Sequence, residues 1–238
     1  VLFDPSPRLG GTLNVADKGI GKEKITRLVD SMIAQVLESG MELRLGEEAT
    51  VDKVKALSPC GVFVACGARP FRPPVPGIDG QHVVIAEDVL LGHAEVKGDC
   101  VIVGSGMTGL ETAEVVLKAG HKTTIADMLP QIGAGAEIVV ILDLKQRMAP
   151  YDPTYLPGHR LVKITDAGVD LECLESGQPV SVPAETVILA LGVRPQKELA
   201  DVFKAAFRDV RILGDAARGG RIVDATQDAY GQAFVFAP

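Results

Sequence analysis

Apolar residues fall along this chain in two kinds of pattern. Short uninterrupted apolar runs, bounded by glycine or charge, occupy residues 61–65, 100–103 and 186–191. Such runs read as parallel strands buried on both faces. Between them lie stretches of helical period. Residues 24–39 set Ile25, Leu28, Val29, Met32, Ile33, Val36 and Leu37 on one face and stop at Gly40, a C-cap residue. Residues 110–119 form a second apolar helix ending at Gly120. Strand and helix in alternation predict a doubly wound α/β arrangement.

Further on the texture changes. Residues 160–164, 169–173 and 180–182 alternate, separated by Asp-Ala-Gly and Ser-Gly-Gln turns. They predict a small antiparallel meander. A last strand at 210–213 leads to Gly214-Asp215 and then to a helical run over 223–232. The Pro-rich stretch 72–77 reads as a linker between lobes, and Val193-Arg194-Pro195 as the crossing back.

Composition narrows the function classes. Hydrophobic residues make up 47% of the 238, charged ones 23%, aromatics 4% with no Trp. Aromatics so scarce argue against a stacking platform for single-stranded nucleic acid. A net charge of −7, with no basic stripe, argues against nucleic acid and against anionic membrane surfaces. No apolar run approaches the roughly 20 residues of a membrane span, and the residues given show no signal-peptide pattern. Cys60, Cys66, Cys100 and Cys173 contain no C-x-x-C pair, so neither a redox dithiol nor a local metal or iron–sulfur site is assembled. A reducing, cytosolic setting is expected, with the cysteines acting as small buried hydrophobes.

The richest motif is Gly104-Ser105-Gly106-Met107-Thr108-Gly109, a G-x-G-x-x-G directly after a strand and opening a helix. Gly104 allows the tight turn, Gly106 the approach of a pyrophosphate, and Gly109 close packing of helix on strand. The phosphates would sit at the helix N-terminus, where unpaired N–H groups favour anions. The strand over 121–126 ends at Asp127, roughly 20 positions on, where a ribose-binding carboxylate belongs. A carboxylate there repels a 2′-phosphate and no Arg follows closely, so NAD(H) is expected over NADP(H). At the start, Val1-Leu2-Phe3-Asp4 reads as the end of a strand already under way, so that the chain looks like a piece of something longer. Asp4 stands there as Asp127 stands in the other lobe.

The ordered set of Leu9-Gly10-Gly11, Ala65-Cys66-Gly67, the glycine loop, Leu191-Gly192-Val193-Arg194-Pro195 and Leu213-Gly214-Asp215 resembles the FAD/NAD-linked pyridine-nucleotide reductase family. Within it the chain is most similar to the C-terminal region of multidomain Old Yellow Enzyme relatives, the 2,4-dienoyl-CoA reductase, 2-enoate reductase and trimethylamine dehydrogenase group. The resemblance implies two Rossmann-like lobes, a NAD(H)-binding lobe at 77–192 carrying the meander and inserted in a partial FAD-binding lobe at 1–76 and 193–238. It implies Asp4 on the FAD ribose, Arg8, Gly10 and Gly11 along its pyrophosphate and flavin, and Gly214 and Asp215 at the ribityl or pyrophosphate region. Cys66 and Gly67 replace the usual Thr-Gly, which removes a hydroxyl donor, and Gly192 sits at the return crossing. Glu111 matches a position near the nicotinamide; read from the residues alone, it is equally a solvated first-turn acid stabilised by the helix dipole.

The same resemblance implies hydride passing from NADH to FAD, then to an iron–sulfur cluster (4Fe-4S) and an FMN barrel in an upstream domain, for reduction of an activated alkene. The first lobe is expected to lack its leading β-α unit, to leave an open sheet edge and to hold FAD weakly or not at all, leaving this piece alone catalytically silent. Hydride transfer between cofactors needs no protein acid or base, consistent with His82, His93, His121 and His159 being scattered. The alternative is a non-catalytic adenine-nucleotide module, as in the trimethylamine dehydrogenase branch. Final acceptor, homo-oligomerisation and the role of 132–157 stay open at this stage.

Overall fold

The computed structural model describes residues 1–236. In chain order the elements begin β1 (Leu2–Asp4), α1 (Leu13–Ala16), α2 (Glu23–Glu38), β2 (Leu43–Leu45), α3 (Val51–Lys55), β3 (Val62–Val64) and β4 (Ala68–Pro70). They continue through β5 (Val83–Ile85), α4 (Ala86–Leu90), β6 (Cys100–Val103), α5 (Met107–Lys118), β7 (Thr123–Asp127), α6 (Ile138–Met148) and β8 (Thr154–Pro157). The rest are β9 (His159–Thr165), β10 (Gly168–Cys173), β11 (Pro179–Pro183), β12 (Thr186–Leu189), β13 (Val193–Pro195), α7 (Lys197–Ala206), β14 (Val210–Ile212) and α8 (Ile222–Phe234).

The chain divides into two compact units. One contains Val1–Asn14, Lys24–Arg69 and Val193–Pro238; the other contains Val15–Glu23 and Pro70–Gly192. The division falls at Arg69/Pro70, ahead of the Pro-rich stretch. That stretch goes with the second unit because Pro76 accepts the Ile164 N–H at 2.8 Å and so docks on the meander. A short earlier segment, Val15–Glu23, also joins the second unit.

The second unit is built on a five-stranded sheet in the order β5-β12-β6-β7-β8, every pairing parallel. The apolar runs explain its centre: all four residues of β6 and of β12 are buried. Strand alternation sends them to opposite faces. Cys100, Ile102, Ile125 and Ile188 pack with Leu110, Ala113, Val116 and Leu117 of α5 and Ile141, Leu144 and Met148 of α6. Val101, Val103, Ala126, Val187 and Leu189 face the other way, against Ile164, Val169, Leu171 and Val182 of the meander. The meander is β9-β10-β11, antiparallel throughout, with a bulge between Asp170 and Leu171. Each fully buried Leu or Ile in these layers stabilises the fold by about 1.5–3 kcal/mol.

The first unit is thinner. Its strands pair two by two: β1 with β2, β3 with β14 and β4 with β13. They do not merge into one sheet. Val54, Val64, Ala200 and Phe203 form its core, with Phe3, Val62, Val210 and Ile212 packed partly buried around them. The apolar face read on α2 buries only Val29; Leu28, Met32 and Leu37 remain exposed. Among the described residues, no helix is long and apolar enough to cross a membrane.

Candidate functional site

At the end of β6 the chain turns sharply into α5. Gly104 sits at φ +105°, and a Cβ there would lie 2.2 Å from the Ala190 carbonyl oxygen. Gly109 is equally constrained, since its Cβ would lie 2.1 Å from the Gly104 oxygen. Both positions therefore require glycine. Gly106 differs. A Cβ added there meets nothing within 4 Å, and as N-cap of α5 it brings no capping side chain. The N-cap of α5 is thus open and its first turn has no capping side chain, the surroundings an anionic pyrophosphate needs.

The strand pairing of β6 with β7 brings Asp127 alongside this turn. Its Oδ2 accepts from the Ser105 N–H at 2.6 Å and from the Ser105 hydroxyl at 2.7 Å; its Oδ1 accepts from the Leu129 N–H at 2.9 Å. The Ser105 hydroxyl also accepts from the Gly133 N–H at 3.2 Å. Ser105 is 1% exposed. Sequence reading passed over it, because it occupies a variable position of the motif. The signal was present: a hydroxyl between the two glycines, facing the strand-end acid across a parallel pair.

Glu111 is not a solvated acid. It is buried, and its carboxylate meets the Lys22 ammonium at 2.5 Å. Lys22 comes from the short segment that clusters with the second unit. One turn further on, Glu114 is 1% exposed and receives Lys118 Nζ at 2.8 Å and the Arg147 guanidinium through Nε at 2.8 Å and Nη2 at 2.9 Å. Arg147 pairs with Asp143 as well. This network fastens α6 to α5, which gives part of the unassigned stretch 132–157 a structural role. Burial opposes the charge on Glu114, but the Arg147 and Lys118 hydrogen bonds outweigh it and hold the carboxyl below the ordinary range.

The residues expected at FAD lie in the first unit, apart from Gly192, which closes the second. Asp4 Oδ1 accepts the Ser6 N–H at 2.8 Å. The Arg8 guanidinium donates to Asp30 at 3.2 Å, on α2. Gly10 is at φ +120° and packs tightly on Asn14 and Val29, whereas beside Gly11 the space is open. Asn14 Oδ1 is buried with no hydrogen-bond partner. An orphaned acceptor beside the Gly10-Gly11 turn fits a bound group that brings a donor, as a flavin ring or ribityl chain does. The Cys66 carbonyl accepts from Gln196 Nε2 at 2.8 Å, Gly67 and Gly192 have left-handed backbones, and the Gly192 carbonyl accepts the Phe71 N–H. The Gly214 N–H donates to Asp228 at 2.8 Å, and Asp215 accepts the Gly220 N–H at 3.0 Å, shaping the turn into α8. A hollow of about 620 Å³ adjoins this turn, lined by Arg194, Lys197, Glu198 and Arg218 among others.

All four cysteines are free. Only Cys100 is fully buried; Cys60 is exposed, against the expectation of four buried hydrophobes. Burial pushes the Cys66 and Cys100 thiols up, away from the thiolate. His82, His121 and His159 each bond a backbone carbonyl, which makes them structural. No cluster of three potential metal ligands occurs among the described residues.

Residues 10–225 match the family model described as pyridine nucleotide-disulphide oxidoreductase. The chain is similar to an NADH oxidase of Thermoanaerobacter brockii, 32% identical over 97% of this chain and 36% of that protein. It is similar at 32% identity, with the same coverages, to a bilirubin reductase of Mediterraneibacter gnavus. Among solved structures, a 2-naphthoyl-CoA reductase complex superposes with TM-score 0.91 at 26% identity, over 99% of this chain and 36% of that one. The chain thus spans about a third of the length of these relatives.

Proposed function

Because the chain belongs to the pyridine nucleotide-disulphide oxidoreductase family, and is a flavoprotein-type NAD(H) oxidoreductase module by that kinship, we propose that it accepts hydride from NADH and passes it to FAD. From there the electrons go on to an upstream flavin and iron–sulfur domain that reduces an activated alkene. The observation that carries this reading is the open N-terminus of α5 at Gly106 with the Asp127 carboxylate alongside.

Each residue has a task in this reading. Gly104, Gly106 and Gly109 let backbone approach the nicotinamide dinucleotide's pyrophosphate, and Asp127 takes its adenosine ribose. Glu111, neutralised by Lys22, stands one helical turn in, where the nicotinamide end of the dinucleotide would extend. Asp4 and the Gly10-Gly11 turn would hold the FAD adenosine and pyrophosphate, with Asn14 Oδ1 accepting from it and the Gly214-Asp215 turn near its ribityl chain. When bound, the two cofactors supply the hydride chemistry between them. No residue is required as acid or base, and Cys66, with its thiol pushed towards the neutral form, is suited to packing rather than dithiol exchange. The missing C-x-x-C fits electrons leaving through a flavin. Relatives that bear reductase names and a chain spanning a third of their length support an additional domain as redox partner.

Anaerobic titration of the full-length parent protein with NADH, followed in the visible flavin band, tests the proposal. Bleaching is expected. Nucleotide binding without bleaching would instead mark an adenine-nucleotide module that performs no transfer.

A further inference from the structure

We infer that Ser105 is a positioning residue for the nicotinamide nucleotide: by holding the Asp127 carboxylate it sets the site's choice between a ribose 2′-hydroxyl and a 2′-phosphate. The inference rests on the nicotinamide reading above and deepens it.

An ionised carboxylate offers about four acceptor positions. Three of those on Asp127 are taken by the protein, two on Oδ2 by Ser105 and one on Oδ1 by Leu129. What remains is a single acceptor on Oδ1, enough for one sugar hydroxyl. The negative charge is thereby fixed in direction before any nucleotide arrives. A 2′-phosphate meets a like charge that cannot swing aside. Hydrogen bonds to charged groups are roughly twice as strong as neutral ones, and Ser105, at 1% exposure, makes its bonds out of reach of competing water.

The hydroxyl is the replaceable part of this arrangement. The Ser105 N–H persists in every variant, so only the Oγ contribution changes with the side chain. Oγ donates to Asp127 and accepts from Gly133. It thus ties three segments together: the glycine loop, the end of β7 and the loop that follows. Gly133 itself is wedged at φ +82°, where a Cβ would strike Ile141 at 2.6 Å, so this loop cannot easily shift to replace the bond. Without the hydroxyl the carboxylate loses one of two anchors on Oδ2 and gains freedom to turn.

The test is calorimetric titration of the full chain with NADH and with NADPH, for the wild type, Ser105→Ala, Asp127→Ala and the double variant. In the wild type NADH binds more tightly. Ser105→Ala is expected to shrink the NADPH-to-NADH ratio of Kd by about tenfold. Added to Asp127→Ala it should leave that ratio unchanged. A Ser105→Ala variant that weakens both nucleotides alike overturns the inference, as does an equal drop in ratio in the Asp127→Ala background. Ser105→Cys, of similar volume but a much weaker donor, serves for the same measurement should the alanine variant not fold. A wild-type chain that binds neither nucleotide removes the nicotinamide reading itself, a result distinct from either failure of Ser105.

Discussion

The two units draw on the same kinds of element but are packed very differently. Of the thirty buried hydrophobic residues among those described, twenty-four belong to the second unit and six (Val29, Val54, Val64, Ala200, Phe203 and Ala216) to the first. The second unit sandwiches its sheet between helices and a meander, so β6 and β12 are buried along their whole length. In the first, every residue of β1 and β14 is only partly covered. There α8 runs thirteen residues without burying one, and leaves Ile222, Val223, Tyr230 and Phe234 exposed. A helix or strand pattern in the sequence therefore predicts an element, but not that the element is packed.

The contrast can be tested by substitution, beginning where the largest loss is expected. Gly104→Ala places a methyl against a backbone oxygen at 2.2 Å in a left-handed conformation. It should cost about 2–6 kcal/mol from strain and overpacking together, seen as a lower melting temperature with loss of NADH binding in titration. Leu110→Ala, at a fully buried core position, should cost about 2–5 kcal/mol in chemical denaturation, and should move only the more stable transition if the two units unfold separately. Glu114→Gln takes the buried carboxylate from Arg147 and Lys118 and leaves Arg147 only Asp143; with Arg147 itself over a third exposed, the loss should be about 1–3 kcal/mol. Val29→Ala in the first unit removes two carbons from a thin core and should cost only about 1.6 kcal/mol. A Val29→Ala loss that equals the Leu110→Ala loss would erase the distinction between the units.

Acid sharpens the comparison further. Glu114 is held below its ordinary value of 4.5 in the folded protein. Its network therefore stabilises the fold fully above that value, and the contribution is lost as pH falls through the lowered one. Melting temperature against pH should show the second unit weakening in that range in the wild type, and the effect should be absent in Glu114→Gln.

Much of this was legible beforehand. The uninterrupted runs at 100–103 and 186–191 read as strands covered on both sides, which β6 and β12 are, whereas the same reading of 61–65 fails because Phe63 is exposed; the meander was visible in its alternation and turns. The glycine loop announced itself because Gly104 and Gly109 answer to steric demands of the backbone. What escaped shows where local pattern stops informing. Helix α6 begins Ile-Val-Val-Ile-Leu, and the exposed Ile138, Val139 and Leu142 mask the i, i+3, i+7 spacing of the buried Ile141, Leu144 and Met148. The Lys22–Glu111 and Glu114–Arg147 pairs join residues far apart in sequence, and no spacing rule reaches across such a gap. Ser105 was hidden differently: its chemistry depends on which way one hydroxyl turns.

The long segment of the second unit, Pro70–Gly192, begins at β4 and ends ahead of β13, and those two strands are hydrogen-bonded neighbours; just inside them Phe71 N–H meets the Gly192 carbonyl at 2.8 Å. More than a hundred residues are thus spliced into the host between two hydrogen-bonded strands. To the host, so long an excursion weighs little more than a tight turn, since the ordered insert brings its own ends together and relieves the surrounding chain of closing a large flexible loop. Such a layout lets the inserted body be exchanged, shortened or circularised, provided that the Val15–Glu23 segment, which carries Lys22 and belongs to the same unit, travels with it.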